Sequence, residues 1–392
     1  MPLNKNRAFE LMKRQGIDAI IASSLENVYY ISDYWSLSRQ LRCGAQAYAL
    51  LPLNNEPSLI APIYEADLVL DSGTWINDVC FFGQSNLRIS KSNTGSEETQ
   101  KLVKFYSEAC RQRDPFETLF KSIIDKKLDK GVLAVEMAGF LQLYDVLRNK
   151  LPDAKIVDGT EVLREIRKIK TKEEIEVIER ATEITEKSME DSLEIARPEI
   201  SELDLAGMFE YSVAYDGGRV TYNLIGFGER SAYPNPIPSP FEAKRGDLIR
   251  LTLGCSWRHY NSNISRTAVV GNAQPMFKKR WNVVLDAQEK VLEKVKPGAR
   301  FSDLYTAAEK EFSSGGFKSL HLSFGHGIGI ECNEPPIVEK ENDEQLLEGM
   351  VLNIDIPLLE LGVGGLQIED TIVVTEKGYR MLTKTDRSLY IL

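Results

Sequence analysis

Ser323-Phe-Gly-His326-Gly-Ile-Gly-Ile-Glu-Cys-Asn-Glu-Pro-Pro336, then Met350-Val-Leu-Asn-Ile-Asp355 and Gly365-Leu-Gln-Ile-Glu369-Asp-Thr-Ile-Val-Val374, are the segments on which the reading of this chain turns. The last two are apolar runs of strand length, and each carries a carboxylate in its interior. Burying such a group unpaired is expensive, so Asp355 and Glu369 either alternate outward to solvent or meet partners. His326 is one of three histidines. It stands between Gly325 and Gly327, with Gly329 beyond, and glycines let a backbone turn tightly and approach a ligand closely. A solitary histidine is usually a satisfied core or surface residue, and His259 and His321 read that way. The glycines set His326 apart. Together His326, Asp355 and Glu369 suggest general acid/base chemistry or one bound metal.

Working outward, Leu248 to Gly254 and His259 to Val270 form an expected hairpin. Two long amphipathic helices, Glu174 to Ile195 and Lys279 to Val295, are each followed by a Pro-containing turn, a Ser-acidic-Leu tripeptide (Ser201-Glu-Leu, Ser302-Asp-Leu) and a helix ending at a Gly-Gly pair. The matched order points to an internal duplication, an α/β unit repeated about a pseudo-two-fold axis, with a cleft between its halves. Thr171 and Glu174 predict a capping box at the start of the first long helix, whose Ile175, Ile178, Ala181 and Ile184 share a stripe. The charged segment from Ile166 marks a boundary near residue 165, giving domains 1–165 and 166–392. The first domain alternates helix and strand: a helix at Arg7 to Arg14, strands at Asp18 to Ala22, Ala47 to Pro52, Ser58 to Ala61 and Gly131 to Glu136, and a helix at Leu141 to Leu151. The Ser/Thr/Asn-rich stretch from Ser90 to Gln100 reads as a surface loop.

With 392 residues, two domains are expected; 43% apolar and 27% charged residues are ordinary for a soluble globular protein, and a net charge of -10 argues against nucleic acid or an anionic membrane as partners. No apolar run reaches the roughly 20 residues of a membrane span, and the N-terminus lacks the apolar core of a signal peptide. Cys43, Cys80, Cys110, Cys255 and Cys332 show no paired spacing and read as reduced, mostly buried thiols of a cytoplasmic protein.

Four ordered motifs then carry a resemblance. Gly325-His-Gly-Ile-Gly with Glu334-Pro-Pro, Glu348-Gly-Met-Val, and Gly364-Gly-Leu-Gln-Ile-Glu-Asp-Thr, preceded by Tyr260-x-Ser-x-x-x-Arg266-Thr267, resemble the pita-bread family of aminopeptidase P, prolidase, methionine aminopeptidase and creatinase. Leu163-Arg-x-Ile-x-x-Ile-Lys-x-x-Glu-Glu fits the domain entry, and Gly16-Ile-Asp-Ala with Asn27-Val-Tyr-Tyr-Ile is similar to the creatinase-type accessory domain. The resemblance implies a creatinase-type α/β domain followed by a duplicated pita-bread fold, and a homodimer.

Peptidases of that family hold two divalent ions with two Asp, one His and two Glu. Carried onto this chain, the Asp positions fall at Thr252 and Asn263, the His at His326, one Glu at Asp355 and the last at Glu369. A further pocket His falls at Asn333. Thr and Asn offer only neutral oxygens, weak ligands for hard cations. Creatinase works without metal, but its catalytic His has no counterpart in Ser231-Ala-Tyr-Pro-Asn-Pro236, where Tyr233, Pro234 or Asn235 stands, and its second carboxylate falls at Ser265. The expectation from these losses is a creatinase-like, metal-independent hydrolase of an amide or amidine C–N bond in a small molecule, with His326, Asp355 and Glu369 catalytic and no cofactor. Thr252, Tyr260, Asn263, Asn333 and Asn235 are its candidate substrate-binding residues, joined by Arg42 (or Arg39) reaching a neighbour's pocket as creatinase-type dimers do. Two alternatives stay open. One is a metal-dependent Xaa-Pro aminopeptidase or dipeptidase with an altered site, holding one Mn or Zn ion on His326, Asp355 and Glu369. The other is an inactive pita-bread module that binds a peptide or protein.

Overall fold

A computed structural model describes residues 3–43, 46–85, 87–90, 95–108, 114–139, 141–318 and 321–392. Cys110 lies outside them. The chain separates into two compact units, Met1–Arg167 and Lys168–Leu392.

The first unit is built on a mixed sheet. Its strands are β1 (Ala19–Ala22), β2 (Tyr48–Pro52), β3 (Ser58–Pro62), β4 (Asp78–Phe82), β5 (Val132–Val135) and β6 (Lys155–Asp158), in the order β4-β3-β2-β1-β5-β6. The apolar runs that predicted β1, β2 and β3 are buried along their whole length, as central strands covered on both faces should be. The helix Lys5–Gln15 buries Ala8, Leu11 and Met12, starts where the Asn4 side chain accepts from the Arg7 amide, and stops at left-handed Gly16. One expectation fails here. Glu97 to Gln100 are not loop but the first turn of a helix, Glu97–Glu108, whose acidic start suits the positive end of a helix dipole. Residues 91–94 of the expected loop lie outside the described ones.

The second unit holds a ten-stranded sheet. Its strands are β7 (Arg219–Phe227), β8 (Leu248–Trp257), β9 (Tyr260–Asn261), β10 (Ile264–Val269), β11 (Ser323–Gly327), β12 (Glu334–Glu339), β13 (Val351–Glu360), β14 (Gly364–Thr375), β15 (Gly378–Met381) and β16 (Tyr390–Ile391). The path is β12-β11-β13-β14-β10-β8-β7, with β15 beside β14, β16 beside β10 and β9 beside β8. Two helix pairs cover it. Lys172–Glu194 and Glu202–Tyr215 pack on β7 and β8, while Pro275–Leu292 and Phe301–Ser314 pack on β11 to β14. Each pair closes its own apolar core. This is the duplicated α/β unit that the repeat implied. The Thr171–Glu174 capping box is formed. The repeat is not exact at its second copy: Ser201 caps its helix, but Ser302 lies inside the next one, which Arg300 caps through Asp303.

Alternation along these strands sorts the residues by face. Leu251 and Leu253, Ile264 and Ala268, Ile354 and Ile356, Ile368 and Ile372 are all buried in the apolar cores. Their neighbours in sequence face the other way and make one polar surface. A fully buried pair interrupts the apolar side: Arg266 Nη2 meets Asp370 Oδ1 at 2.7 Å, and Gln288 Nε2 donates to Asp370 Oδ2 at 2.8 Å.

Candidate functional site

The polar surface is assembled by register. Thr252 on β8 lies opposite Ser265 on β10, Ser265 opposite Glu369 on β14, and Glu369 opposite Asp355 on β13. Four neighbouring strands therefore each place one side chain in a single row. His326 on β11 is opposite Asn353, two residues before Asp355 and so on the same face. The glycines around His326 serve backbone packing, not ligand approach. At Gly325, φ is 148° and an added Cβ would lie 2.2 Å from the Asn353 carbonyl oxygen, so only glycine lets β11 close on β13 here.

Within the row the carboxylates are tied to neutral donors. Glu369, 1% exposed, accepts from Asn263 Nδ2 (2.8 Å) and Asn353 Nδ2 (2.9 Å) at Oε1 and from Ser265 Oγ (2.9 Å) at Oε2. Asp355 Oδ1 accepts from Gln367 Nε2 at 2.8 Å. Thr252 Oγ1 lies 3.1 Å from Gln367 Oε1 and 2.9 Å from Ser265 Oγ. Arg250, two residues before Thr252 and 2% exposed, donates to Gln367 Oε1 and to the Ser231 and Tyr233 carbonyls. Burial pushes its pKa down to about 10. His326 Nδ1 is 2.9 Å from the Gly327 carbonyl, an acceptor, so Nδ1 carries the proton and Nε2 presents a lone pair, 3.8 Å from Glu369 Oε1. Burial lowers the pKa of His326. Burial raises both Asp355 and Glu369 above the ordinary carboxylate range, and their mutual repulsion raises Asp355 further.

Five of the residues singled out in the sequence thus meet: His326, Asp355, Glu369, Thr252 and Asn263. Four do not. Tyr260 turns its hydroxyl to Glu174 Oε1 at 2.9 Å, at the start of the helix Lys172–Glu194. Asn333 and Asn235 are exposed, and Arg42 is an exposed residue of the first unit. Missed from the sequence were Arg250, Asn353 and Gln367. Each lies two residues from a residue that was found, so strand alternation was the signal available. The cysteines also differ from expectation. None of the four described is in a disulfide, yet only Cys255 is buried, and Cys43 is exposed. Among the described residues no helix is long and apolar enough to cross a membrane.

Comparison with known proteins now bears on this geometry. The family model described as "Metallopeptidase family M24" matches residues 176–376, and "Creatinase/Prolidase N-terminal domain" matches residues 5–169. An Xaa-Pro dipeptidase of Pyrococcus horikoshii is 30% identical over 386 residues, covering 98% of this chain and 97% of that protein. The crystal structure of the prolidase from Pyrococcus horikoshii superposes with a TM-score of 0.78 at 29% identity, covering 98% of this chain and 99% of that one. An X-Pro aminopeptidase from Thermotoga maritima shares the fold, with a TM-score of 0.81 at 24% identity and 99% of each chain covered. These matches overturn two expectations, that of a metal-independent hydrolase of a non-peptide C–N bond and that of no metal cofactor. The matching family is one of metallopeptidases, and a relative matched end to end is an Xaa-Pro dipeptidase.

The side chains present nevertheless do not fit the paired ions that the resemblance implied. Positions 252 and 263 supply a hydroxyl and an amide, and both Glu369 oxygens accept hydrogen bonds from neutral groups. As they lie, no group of three or more His, Cys, Asp or Glu among the described residues can hold a metal ion. The fold is nevertheless shared along nearly the whole length, and the chain belongs to metallopeptidase family M24.

Proposed function

We propose that the chain is a metal-dependent peptidase of the Xaa-Pro dipeptidase class whose centre has been altered at Thr252 and Asn263. The observation that carries this reading is the end-to-end similarity to an Xaa-Pro dipeptidase together with His326, Asp355 and Glu369 gathered on one polar face. Metal dependence comes from the family. An ion could fall to His326, Asp355 and Glu369 only if the two carboxylates gave up their present bonds to Gln367, Asn263, Asn353 and Ser265. The chain's own residues support the remaining tasks. His326 is held by its Nδ1–H···O=C bond in the tautomer that leaves the Nε2 lone pair free for the ion. Gln367 and Asn263 fix the rotamers of the two carboxylates.

The test is hydrolysis of Ala-Pro and Gly-Pro by purified protein dialysed against chelator and resupplied with Mn, Co or Zn. Turnover that returns with one of these metals, and is lost in a folded His326→Ala variant, supports the reading. Silence across all three metals refutes it. A second reading, a pita-bread module that binds without catalysis, is favoured by the saturation of Glu369 with neutral donors. It requires that His326→Ala leave ligand affinity unchanged.

A further inference from the structure

The ten-stranded sheet is unevenly stitched. β8 pairs with β10 from Leu248 opposite Val269 to Leu253 opposite Ile264, and β13 pairs with β14 from Val351 opposite Val373 to Glu360 opposite Gly364. Between β10 and β14 the described residues place one pair in register, Ser265 with Glu369. To either side of it, side chains stand in for the backbone ladder. The Thr267 hydroxyl donates to the Gln367 carbonyl at 3.1 Å and accepts from the Gln367 amide at 3.0 Å. Arg266 Nη1 donates to the Glu369 carbonyl at 3.0 Å, and Asn353 Nδ2 to the Asn263 carbonyl at 3.2 Å. This seam divides the duplicated unit. Ile225, Leu251 and Ala268 lie in the apolar core of the first half, and Phe324, Ile354 and Ile368 in that of the second. It also divides the polar row, leaving Thr252 and Ser265 on one side and Glu369 and Asp355 on the other.

Residues 384–392 touch both sides of the seam. On the first half, Glu186 Oε1, in the helix Lys172–Glu194, accepts from the Lys384 and Thr385 amides, and Lys384 Nζ pairs with Glu183 at 2.9 Å. On the second half, Arg387 Nη1 donates to Gln288 Oε1 at 3.1 Å and Arg387 Nη2 lies 3.5 Å from Glu289 Oε1, both in the helix Pro275–Leu292. In between, Arg266 Nε donates to the Asp386 carbonyl at 3.0 Å. β16 then runs parallel to the end of β10, with Tyr390 beside Ala268 and Ile391 beside Val269. Leu389 packs on the core of the second half, Tyr390 and Leu392 on that of the first. The ion pairs of Lys384 and Arg387 are partly exposed and individually weak. Each half keeps its own core, so this segment can loosen while both halves stay folded.

We propose that residues 384–392 are a strap that sets the width of this seam, and through it the separation of Thr252 and Ser265 from Glu369 and Asp355. Seated, the strap keeps the row closed across Ser265 and Glu369. Released from either half, it lets that pair part while the two cores persist. It acts in this way whichever ligand the row takes.

Hydrogen exchange on the full chain, read peptide by peptide, tests this with the wild type, Glu186→Ala, Arg387→Ala and Arg387→Lys. Each alanine variant releases the strap from one half. Exchange in peptides spanning residues 264–269 and 364–371 is expected to rise about tenfold in both, while the helices Glu202–Tyr215 and Phe301–Ser314 keep their wild-type rates. Arg387→Lys keeps a charge opposite Glu289 and should stay within about twofold of the wild type. Glu186 is buried, and where its loss disturbs the fold, Arg387→Ala, at a half-buried residue, reports alone. Unchanged exchange at the seam in Arg387→Ala overturns the strap. So does a uniform rise across the seam and both helices, which would make residues 384–392 a general stabiliser of the unit.

Discussion

Replacing Asp370 with Ala tests whether the buried ion pair behind the site holds the sheet together. Arg266 and Asp370 are both fully buried and 2.7 Å apart. At an effective dielectric near 20, that separation corresponds to a gross attraction of about 6 kcal/mol. The net cost of removing one partner is smaller, because Arg266 keeps the Ser265, Glu369, Thr385 and Asp386 carbonyls and the Thr385 hydroxyl as acceptors at 2.9 to 3.3 Å. Leaving a buried guanidinium without its carboxylate costs about 3–5 kcal/mol in general, and these acceptors place this case near the lower end, about 3 kcal/mol. For a unit the size of Lys168–Leu392 that is a fall in Tm of roughly 6–12 °C. Differential scanning calorimetry of Asp370→Ala, Arg266→Met and the double variant gives the loss and the coupling energy together. The coupling should be about 2 kcal/mol or more. A loss under 1 kcal/mol for Asp370→Ala, or a coupling near zero, refutes the idea that Asp370 neutralises Arg266.

Three further outcomes follow from the same geometry. Gly325→Ala drives a Cβ to 2.2 Å from the Asn353 carbonyl at a φ of 148°, so β11 must part from β13; hydrogen exchange in these strands should rise and Tm should fall by several degrees, and an unchanged exchange pattern contradicts the packing account. Glu174 is pushed up from 4.5 to about 7 by burial, so its contribution to stability is full below pH 4.5 and is lost as pH rises through about 7, amounting to about 3 kcal/mol. Glu174→Gln keeps an acceptor for the Thr171 amide and should flatten that slope, with denaturant melts at pH 5 and pH 8 differing less than in the wild type; equal slopes in both proteins count against it. Thr252→Asp combined with Asn263→Asp should raise the Mn bound per chain after loading, measured by elemental analysis, and no rise means that other residues limit metal uptake.

Much of this molecule could be read before folding it. The apolar runs around Asp355 and Glu369 became paired strands, and Thr171 with Glu174 became a formed capping box. Local signals of this kind survive because the interactions that make them are local. The site was only half legible. Gln367 and Arg250 look unremarkable in sequence, and their importance comes from lying two residues from Glu369 and Thr252 on adjacent strands, a relation that exists only once the register is set. Tyr260 failed in the opposite way: its motif position suggested the site, but its hydroxyl finds a buried acceptor in Glu174. The function expected from sequence erred by giving two ligand positions more weight than the whole-chain likeness. Thr252 and Asn263 alter a donor set without altering the surface that holds it.

The row of side chains across β8, β10, β14 and β13 makes strand pairing itself a point of vulnerability. Because side chains alternate with a period of two, a one-residue slip of β14 would swing Glu369 out of the row and bring Asp370 in. A slip of β10 would exchange Ser265 for Arg266 in the same way. Either error strands one member of the Arg266–Asp370 pair on the wrong side of the sheet, away from its counterion. The pair thus works as a proofreading device for assembly: it cannot choose the chemistry of the site, but it penalises a one-residue misalignment of β10 or β14, the two strands at the middle of the row.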